Sequence, residues 1–519
     1  MFPTATKIGE LQNSVGESLQ LFIPELIVCA GIVILLLARL ARILDRVHLG
    51  GVAVVTLVVA LFVAGYQVYD DVWGKGIFAG MLVSDPFAGL VRSLVLLASL
   101  ITVFLTQLTG IPDRVDSSDF HVLLLGGTLG MMLMGSANHL LMVFIAVEMA
   151  SLPGYALAGF LKGKKTGSEA ALKYVVYGAG ASGVMLYGIT LLAGTFGSGY
   201  LPDIATGVLN RGFDLPVLAG FALLFVGLGF KLAAVPFHFW CPDVFEGAAA
   251  EVAGFLSVAS KSAAIALTLR ILLTLQERIG GWAVAESLGL LVGVIAAITV
   301  TFGNLAAFSQ TNLKRLLAYS TIAHAGYMLL AVGLCYKSEP SETGHYIGAA
   351  AILYYLAAYI VMNLGAFAVV ALVRNATGSE NMIAFRGLVR RSPLLGVTMT
   401  IFLLSLLGLP PLAGFAGKFQ VFAAVYDAGR AASGVGHTNL GVFFYVLLAV
   451  GAVNTAVSAY YYLRIARAML LEEPDTSEPA RATPAADMFL VVLAVALFAV
   501  GIIWNPITQL AGHATTAFK

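Results

Sequence analysis

Residues 227–240 read GLGFKLAAVPFHFW and place a lysine and a proline inside a long apolar segment. The apolar residues begin near Leu215, Lys231 stands inside the run, and Pro236 follows five residues later. An apolar run of about 20 residues predicts a membrane-spanning helix, whereas a charge and a helix-breaking residue both oppose one. The segment therefore predicts a membrane helix that is interrupted for a functional reason.

The composition of the whole chain supports a membrane protein. Of its 519 residues, 59% are hydrophobic and only 11% are charged, which excludes a soluble globular domain. The formal net charge is +1, so charge gives no reason to expect a nucleic-acid partner, and membrane lipids are the expected surroundings. The fold class is predicted to be an all-α polytopic membrane bundle.

About fourteen segments are apolar and long enough to span a membrane. They cover residues 21–40, 51–69, 86–108, 119–135, 139–161, 170–195, 215–238, 250–275, 282–303, 316–335, 346–373, 395–426, 440–466 and 487–509. The connecting loops are short, and the longest polar interruption, at 472–487, is predicted to be a cytoplasmic linker. No separate soluble domain is expected.

The basic residues between these segments predict the orientation. Alternate loops hold 16 Lys and Arg residues on one side and 7 on the other. Because cytoplasmic loops are enriched in Lys and Arg, both termini are predicted to lie outside. The remaining six of the 29 basic residues fall in or near predicted spans: Arg92, Lys173, Lys231, Lys261, Arg270 and Lys418.

Four charged residues lie near the middle of predicted spans: Glu148, Lys231, Lys261 and Lys418. A charge at mid-membrane costs about 2.5–3.5 kcal/mol on insertion scales, so each requires a reason. Static ion pairs that fix helix packing are one alternative. However, three lysines cannot all pair with one carboxylate, so titratable groups with internal water, and hence a proton path, are the favoured interpretation.

Several further residues are weaker candidates for the proton path. His324, in AYSTIAHAGYMLL, has hydroxyl groups nearby and is predicted to be a proton relay, with a hydrogen-bonded core histidine as the alternative. For Lys173, the alternative is an ordinary ion pair with Glu169 on one helix, because the two residues have i, i+4 spacing. For His238, the alternative is an imidazole ring that lies at the membrane interface. Glu25 is expected at the membrane interface. Arg92 and Arg270 are expected to snorkel or lie near helix ends.

The proline-interrupted spans recur along the chain. Pro236 interrupts one lysine-bearing span, and the pair Pro410 and Pro411 interrupts another. Broken helices at membrane depth require protein or water to satisfy the freed backbone groups, and their recurrence in two halves marks inverted-repeat transporters. We therefore predict two inverted five-helix repeats, at 119–275 and 276–470, preceded by three helices in 1–118 and followed by a linker and a last helix in 471–519.

Several segments together resemble one family. FKLAAVPFHFWCPDVFEGAAAEVAGFLSVASK, EAALKYVVYGAGASGVMLYG, NLAAFSQTNLKRLLAYSTIAHAGYMLL and SLLGLPPLAGFAGKF are similar to the antiporter-like membrane subunits of proton-pumping NADH:quinone oxidoreductase, respiratory complex I. The similarity runs from about Gly127 to Arg464 and is greatest to the N-type subunits, because the M-type typically has glutamate where Lys418 stands and the L-type carries a long lateral helix.

The resemblance implies a function and a set of site residues. Residues matching Glu148, Lys231 and Lys261 form the first half-channel, Lys418 matches the second, and His324 falls on the hydrophilic axis between them. It also implies a proton-translocating subunit in the bacterial plasma membrane that carries no cofactor itself. FMN and iron–sulfur clusters are expected on partner subunits, and M-type and K-type neighbours and a peripheral NADH-oxidising arm are the expected partners.

The chain also leaves alternatives open. It departs from the family at GAAAEVAG, where Glu251 adds either an acid near a proton route or a cytoplasmic-side charge. A subunit of a multisubunit sodium/proton antiporter is the first rival function. A purely structural charged axis is the second, and a photosynthetic relative with a different electron donor is a third. Cys29, Cys241 and Cys335 are scattered, which argues against a metal or iron–sulfur site on this chain.

Overall fold

The computed structural model describes residues 14–40, 49–68, 74–113, 116–161, 163, 165–280, 282–334, 346–474 and 482–518. Nine of the basic residues used to predict orientation lie outside these ranges, as does Cys335: Lys7, Arg42, Arg46, Arg114, Lys162, Lys164, Lys337, Arg481 and Lys519. The described part is almost entirely helical, and its only sheet is a two-stranded antiparallel hairpin of β1 (Lys75–Ile77) and β2 (Leu82–Ser84).

After a helical stretch at residues 14–21, the first half of the described chain contains ten more helices. They are α1 (Ile23–Leu40), α2 (Gly50–Gln67), α3 (Pro86–Thr109), α4 (Ser117–Ser136), α5 (Leu140–Ala158), α6 (Lys165–Phe196), α7 (Leu201–Arg211), α8 (Leu215–Leu232), α9 (Trp240–Gly247) and α10 (Ala250–Ile279). Helix α10 contains a π-helical turn at Leu256–Ser260.

The second half contains the remaining helices. They are α11 (Ala285–Ala307), α12 (Leu313–Val332), α13 (Ile347–Thr377), α14 (Pro393–Leu407), α15 (Ala413–Gly434), α16 (Thr438–Leu470), α17 (Pro484–Ile502) and α18 (Asn505–Thr515). Short helical turns occur at Met382–Phe385, Leu388–Arg391 and Thr516–Phe518, and a second π turn, Ala285–Gly289, opens α11.

Twelve of the described helices are long and apolar enough to cross a membrane. The other two predicted spans are α12, which carries Lys314, Arg315 and His324, and a broken pair formed by α14 and α15. The prediction of an all-α polytopic membrane bundle is therefore confirmed, and twelve of the fourteen predicted spans meet this criterion. The predicted span 215–238 ends too late, because α8 stops at Leu232 and α9 starts only at Trp240.

The helices differ in how much of their surface is buried. Helices α10 and α13 lie almost wholly inside the bundle, whereas α1, α2, α6, α16 and α17 each expose a broad apolar face. An apolar face of this kind is what lipid or a neighbouring membrane chain would cover. Lys261 on α10, His324 on α12 and Lys418 on α15 are all buried, so these residues are placed away from lipid.

Candidate functional site

The first break in the bundle lies between α8 and α9. Ala233 ends α8 in the left-handed conformation, with φ of 53°. The indole nitrogen of Trp240 donates a hydrogen bond of 2.9 Å to the carbonyl oxygen of Phe230, and the backbone nitrogen of Val235 donates one of 3.0 Å to Thr299 Oγ1. Protein side chains thus satisfy backbone groups freed by the break, as a break at membrane depth requires.

Lys231 and Lys261 lie next to irregular backbone on neighbouring helices. Lys231 is in the last turn of α8, just before the break, and Lys261 directly follows the π turn in α10. Their exposed fractions are 1% and 2%, and neither ammonium has a hydrogen-bond partner within the described residues. Neither lysine is therefore held in a static ion pair within the described residues.

Glu148 is half-buried on α5 and accepts a hydrogen bond from the Ser182 hydroxyl of α6. It is close enough to Lys231 for electrostatic interaction. Among the described residues, however, no basic nitrogen forms an ion pair with it within 4.0 Å. The alternative in which Glu148 pairs statically with a lysine therefore does not describe this structure.

His324 is buried on α12 and contacts two tyrosines. Its Nδ1 lies 2.6 Å from the hydroxyl of Tyr355, and its Nε2 lies 3.1 Å from that of Tyr462. The Tyr462 hydroxyl is in turn 2.5 Å from Ser320 Oγ. A neutral imidazole has one donor and one acceptor nitrogen, and a hydroxyl can take either role. This arrangement can pass a proton from one side of the ring to the other.

Lys418 lies next to the second break, which separates α14 from α15. Its Nζ donates a hydrogen bond of 3.0 Å to the carbonyl oxygen of Leu407, the last residue of α14. It also lies 4.4 Å from the centre of the Tyr327 ring. The side chain therefore caps the carboxyl end of a helix, where a positive charge is favoured.

The groups just described form a buried polar axis across the core. Lys261 and Lys418 both interact electrostatically with His324. Beside Lys261, the amide nitrogen of Asn363 donates hydrogen bonds of 2.7 Å to Ser257 Oγ and 3.0 Å to the Tyr359 hydroxyl. The Asn363 amide therefore holds two hydroxyl groups in position, and a hydroxyl can both donate and accept a hydrogen bond.

Lys173 lies outside this axis, in a cluster that we call the charged mouth. Its members are Glu169, Lys173, Asp243, Glu246 and Arg315, which line a cavity of about 240 Å³. Lys173 Nζ lies 2.7 Å from both Glu169 and Asp243, so the predicted i, i+4 pair is present but is part of a larger network. Partial burial favours protonation of Asp243, but the hydrogen bonds from Lys173 and Arg315 outweigh it and lower the pKa of this carboxyl.

His238 is also separate from the lysines. It lies in the first break, is 4% exposed, and its ring centre is 4.4 Å from those of Phe239 and Phe302. The side chain is therefore enclosed among aromatic rings.

Three buried ion pairs were not anticipated from the sequence. Glu25 and Arg92 are both fully buried and 2.6 Å apart, Asp85 and Arg270 form a bidentate pair at 2.8 Å, and Glu251 pairs with Arg374 at 3.0 Å. Arg92 and Arg270 are buried in these ion pairs and do not snorkel. Glu25 and Arg92 lie in the first and second turns of their helices, as expected for positions near helix ends, but their side chains point into the protein. The sequence does indicate that these residues are paired, because each acid and base falls inside or beside an apolar span, where a charge needs a partner. Their partners come from distant segments, which spacing alone cannot identify.

The described residues contain no group of three or more His, Cys, Asp or Glu side chains placed to hold a metal ion.

Comparison with known proteins shows a family match and similar full-length relatives. Residues 137–439 match the family described as NADH:quinone oxidoreductase/Mrp antiporter, transmembrane. The chain is 40% identical to NADH-quinone oxidoreductase subunit N from Anaeromyxobacter sp. strain Fw109-5, covering 94% of this chain and 95% of the relative.

Solved structures show the same likeness. A chain of respiratory complex I from Thermus thermophilus with bound aureothin is 35% identical, with a TM-score of 0.75 over 94% of this chain and 100% of that one. A chain of the Mrp complex from Dietzia sp. DQ12-45-1b has a TM-score of 0.79 at 21% identity, over 96% of this chain and 97% of that one, which shows a shared fold.

Proposed function

This chain belongs to the NADH:quinone oxidoreductase/Mrp antiporter family of membrane subunits, and we propose that it is the N-type proton-translocating subunit of an NADH:quinone oxidoreductase. The observation that carries the proposal is the buried position of His324 between two tyrosine hydroxyls, within electrostatic range of Lys261 and Lys418. NADH oxidation and quinone reduction take place on other subunits, which hold FMN and iron–sulfur clusters.

In this function, protons from the cytoplasm reach Glu148, Lys231 and Lys261, pass His324 and leave through Lys418. Moving one charge against 100 mV requires about 2.3 kcal/mol, which the redox reaction on the partner subunits supplies. The two breaks lie in the seventh and twelfth spans, five spans apart, which supports the two inverted repeats at 119–275 and 276–470. The protein resides in the bacterial plasma membrane with both termini outside, beside M-type and K-type subunits and the NADH-oxidising arm.

The test begins with the intact assembly. The tagged chain is extracted from its own membrane in mild detergent, its partners are identified, and NADH-driven quinone reduction is measured. Copurification with flavin and iron–sulfur subunits and NADH-dependent activity is the expected result. Association with other membrane chains only, together with sodium-dependent proton exchange that needs no NADH, would instead establish the antiporter function.

A further inference from the structure

Helices α5 and α6 face each other with two matching polar stripes. On α5, Glu148, Ser151 and Tyr155 are spaced i, i+3 and i+7, which places them on one face of the helix. At the upper end, Glu148 accepts its hydrogen bond from Ser182 of α6. Ser151 is buried and donates to the carbonyl oxygen of Val147 on its own helix. The stripe therefore links Glu148 to Tyr155 over two helical turns.

On α6, Tyr174, Gly178 and Ser182 are spaced four residues apart and form the facing stripe. The Tyr174 and Tyr155 rings meet edge to face with their centres 4.7 Å apart. From Tyr174 to Ser182 the helix rises about 12 Å. The two stripes thus run side by side through a substantial part of the membrane depth.

Each tyrosine hydroxyl lies where the opposite helix has a glycine. A Cβ atom on Gly178 would be 2.0 Å from the Tyr155 hydroxyl oxygen, and one on Gly154 would be 3.8 Å from that of Tyr174. The Gly178 distance is shorter than any real Cβ contact, so only glycine leaves room for this hydroxyl. The local sequences PGY at 153–155 and YVVYG at 174–178 together form this contact.

Both hydroxyls are buried, and they differ in their hydrogen-bonding surroundings. Tyr155 is 7% exposed, and its hydroxyl lies within reach of Ser151, one turn away on the same helix. Tyr174 is fully buried, and within the described residues its hydroxyl meets no donor or acceptor in bonding geometry. Burying a hydroxyl without a partner costs free energy, and phenylalanine would fill the same space without that cost. Core packing alone therefore does not account for a tyrosine at position 174.

The lower end of the stripes meets the charged mouth. Lys173 precedes Tyr174 and is bonded to Asp243 in the mouth. Tyr174 stacks on Trp240, one turn before Asp243 on α9, with ring centres 4.3 Å apart and planes within 8°. Side chains in contact therefore lead from an open, charged cavity towards the half-buried carboxylate of Glu148.

We propose that Tyr174 and Tyr155 carry protons from the charged mouth to Glu148, which makes this cleft the cytoplasmic intake of the subunit. Each hydroxyl accepts a proton on an oxygen lone pair from the mouth side and releases its own proton toward Glu148, so neither gains net charge over a cycle. The proposal rests on the proposed function and adds two relay residues to it.

The test uses Tyr155→Phe and Tyr174→Phe in the complete complex in sealed, inverted membrane vesicles. Each change removes only one hydroxyl, so we expect assembly to be retained. NADH-driven proton uptake should fall on the order of tenfold, less than the effect typical of a positioned acid–base group because water can still enter the cleft. Lowering the pH on the mouth side should partly restore the rate. Tyr354→Phe is the control, because this tyrosine donates to Val500 O away from the cleft.

A second variant tests the geometry. Gly178→Ala keeps both hydroxyls but forces that of Tyr155 from its position, so it should reproduce the uptake defect and its partial recovery at low pH.

If one tyrosine variant failed to assemble, the other would decide the question. Normal proton uptake and an unchanged pH profile in an assembled tyrosine variant would overturn the intake. Lys261→Ala separates the two proposals: loss of uptake there with normal uptake in both tyrosine variants would reject only the intake.

Discussion

At the residue scale, Lys418 caps α14 and also interacts electrostatically with His324. Lys418→Arg separates these roles, because arginine can donate to Leu407 O but does not deprotonate in proteins. We expect Lys418→Arg to assemble and to retain quinone reduction while proton translocation falls severalfold, and Lys418→Ala to lose both the cap and translocation. Proton uptake by vesicles is the measurement. Full translocation by the arginine variant would show that Lys418 is structural.

A second residue-scale prediction concerns stability. Asp85→Asn leaves Arg270 buried without its charged partner, which should destabilise the protein by about 3–5 kcal/mol. Asp214→Asn is a matched control, because both aspartates accept a hydrogen bond at the start of a helix but Asp214 pairs with exposed Arg211. That surface pair should contribute about 1 kcal/mol or less. Thermal unfolding of the purified complex measures both, and equal losses would contradict this account.

At the scale of elements, the break between α14 and α15 requires the backbones of these two helices to approach closely. A Cβ on Gly414 would lie 1.8 Å from Ser405 O, whereas a Cβ on Gly434, at the end of the same helix, meets nothing within 4 Å. We expect Gly414→Ala to separate α14 from α15 and to reduce the yield of assembled complex strongly. Gly434→Ala should leave the yield unchanged. A normal yield for Gly414→Ala would show that the break tolerates rearrangement.

The elements also show what sequence patterns can and cannot predict. Hydropathy locates the spans because each must bury about 20 apolar residues, and Pro236 and Pro410 correctly indicate the two breaks. The amphipathic helix α7 was missed because it is too short and polar to count as a span. The π turn before Lys261 has no sequence signature of its own, since it depends on packing against neighbouring helices.

At the scale of the whole molecule, the sequence predicts which groups are unusual but not which of them meet. Glu148, Lys231, Lys261 and Lys418 stand out because a charge at membrane depth is costly. That His324 contacts Tyr355 and Tyr462 depends on three helices converging, which no local pattern encodes. For the same reason, spacing indicates that Lys173 can pair with Glu169 but not that Asp243 also pairs with it.

The predicted orientation is also testable on the whole molecule. If both termini lie outside, a cysteine placed at exposed Gly436, between α15 and α16, faces the outside, and one placed at exposed Ser309, between α11 and α12, faces the cytoplasm. A membrane-impermeant thiol reagent applied to intact cells should label the first and spare the second. The reverse pattern would place the charged mouth on the outside.

The central claim is that protons cross this subunit along the axis from Lys261 through His324 to Lys418. The most direct test is the number of protons translocated per NADH oxidised, measured in sealed vesicles that carry the assembled complex with Lys261→Ala. The account predicts a lower ratio than in the unmodified complex, or a parallel loss of pumping and quinone reduction if the steps are tightly coupled. An unchanged ratio at an unchanged rate would contradict it.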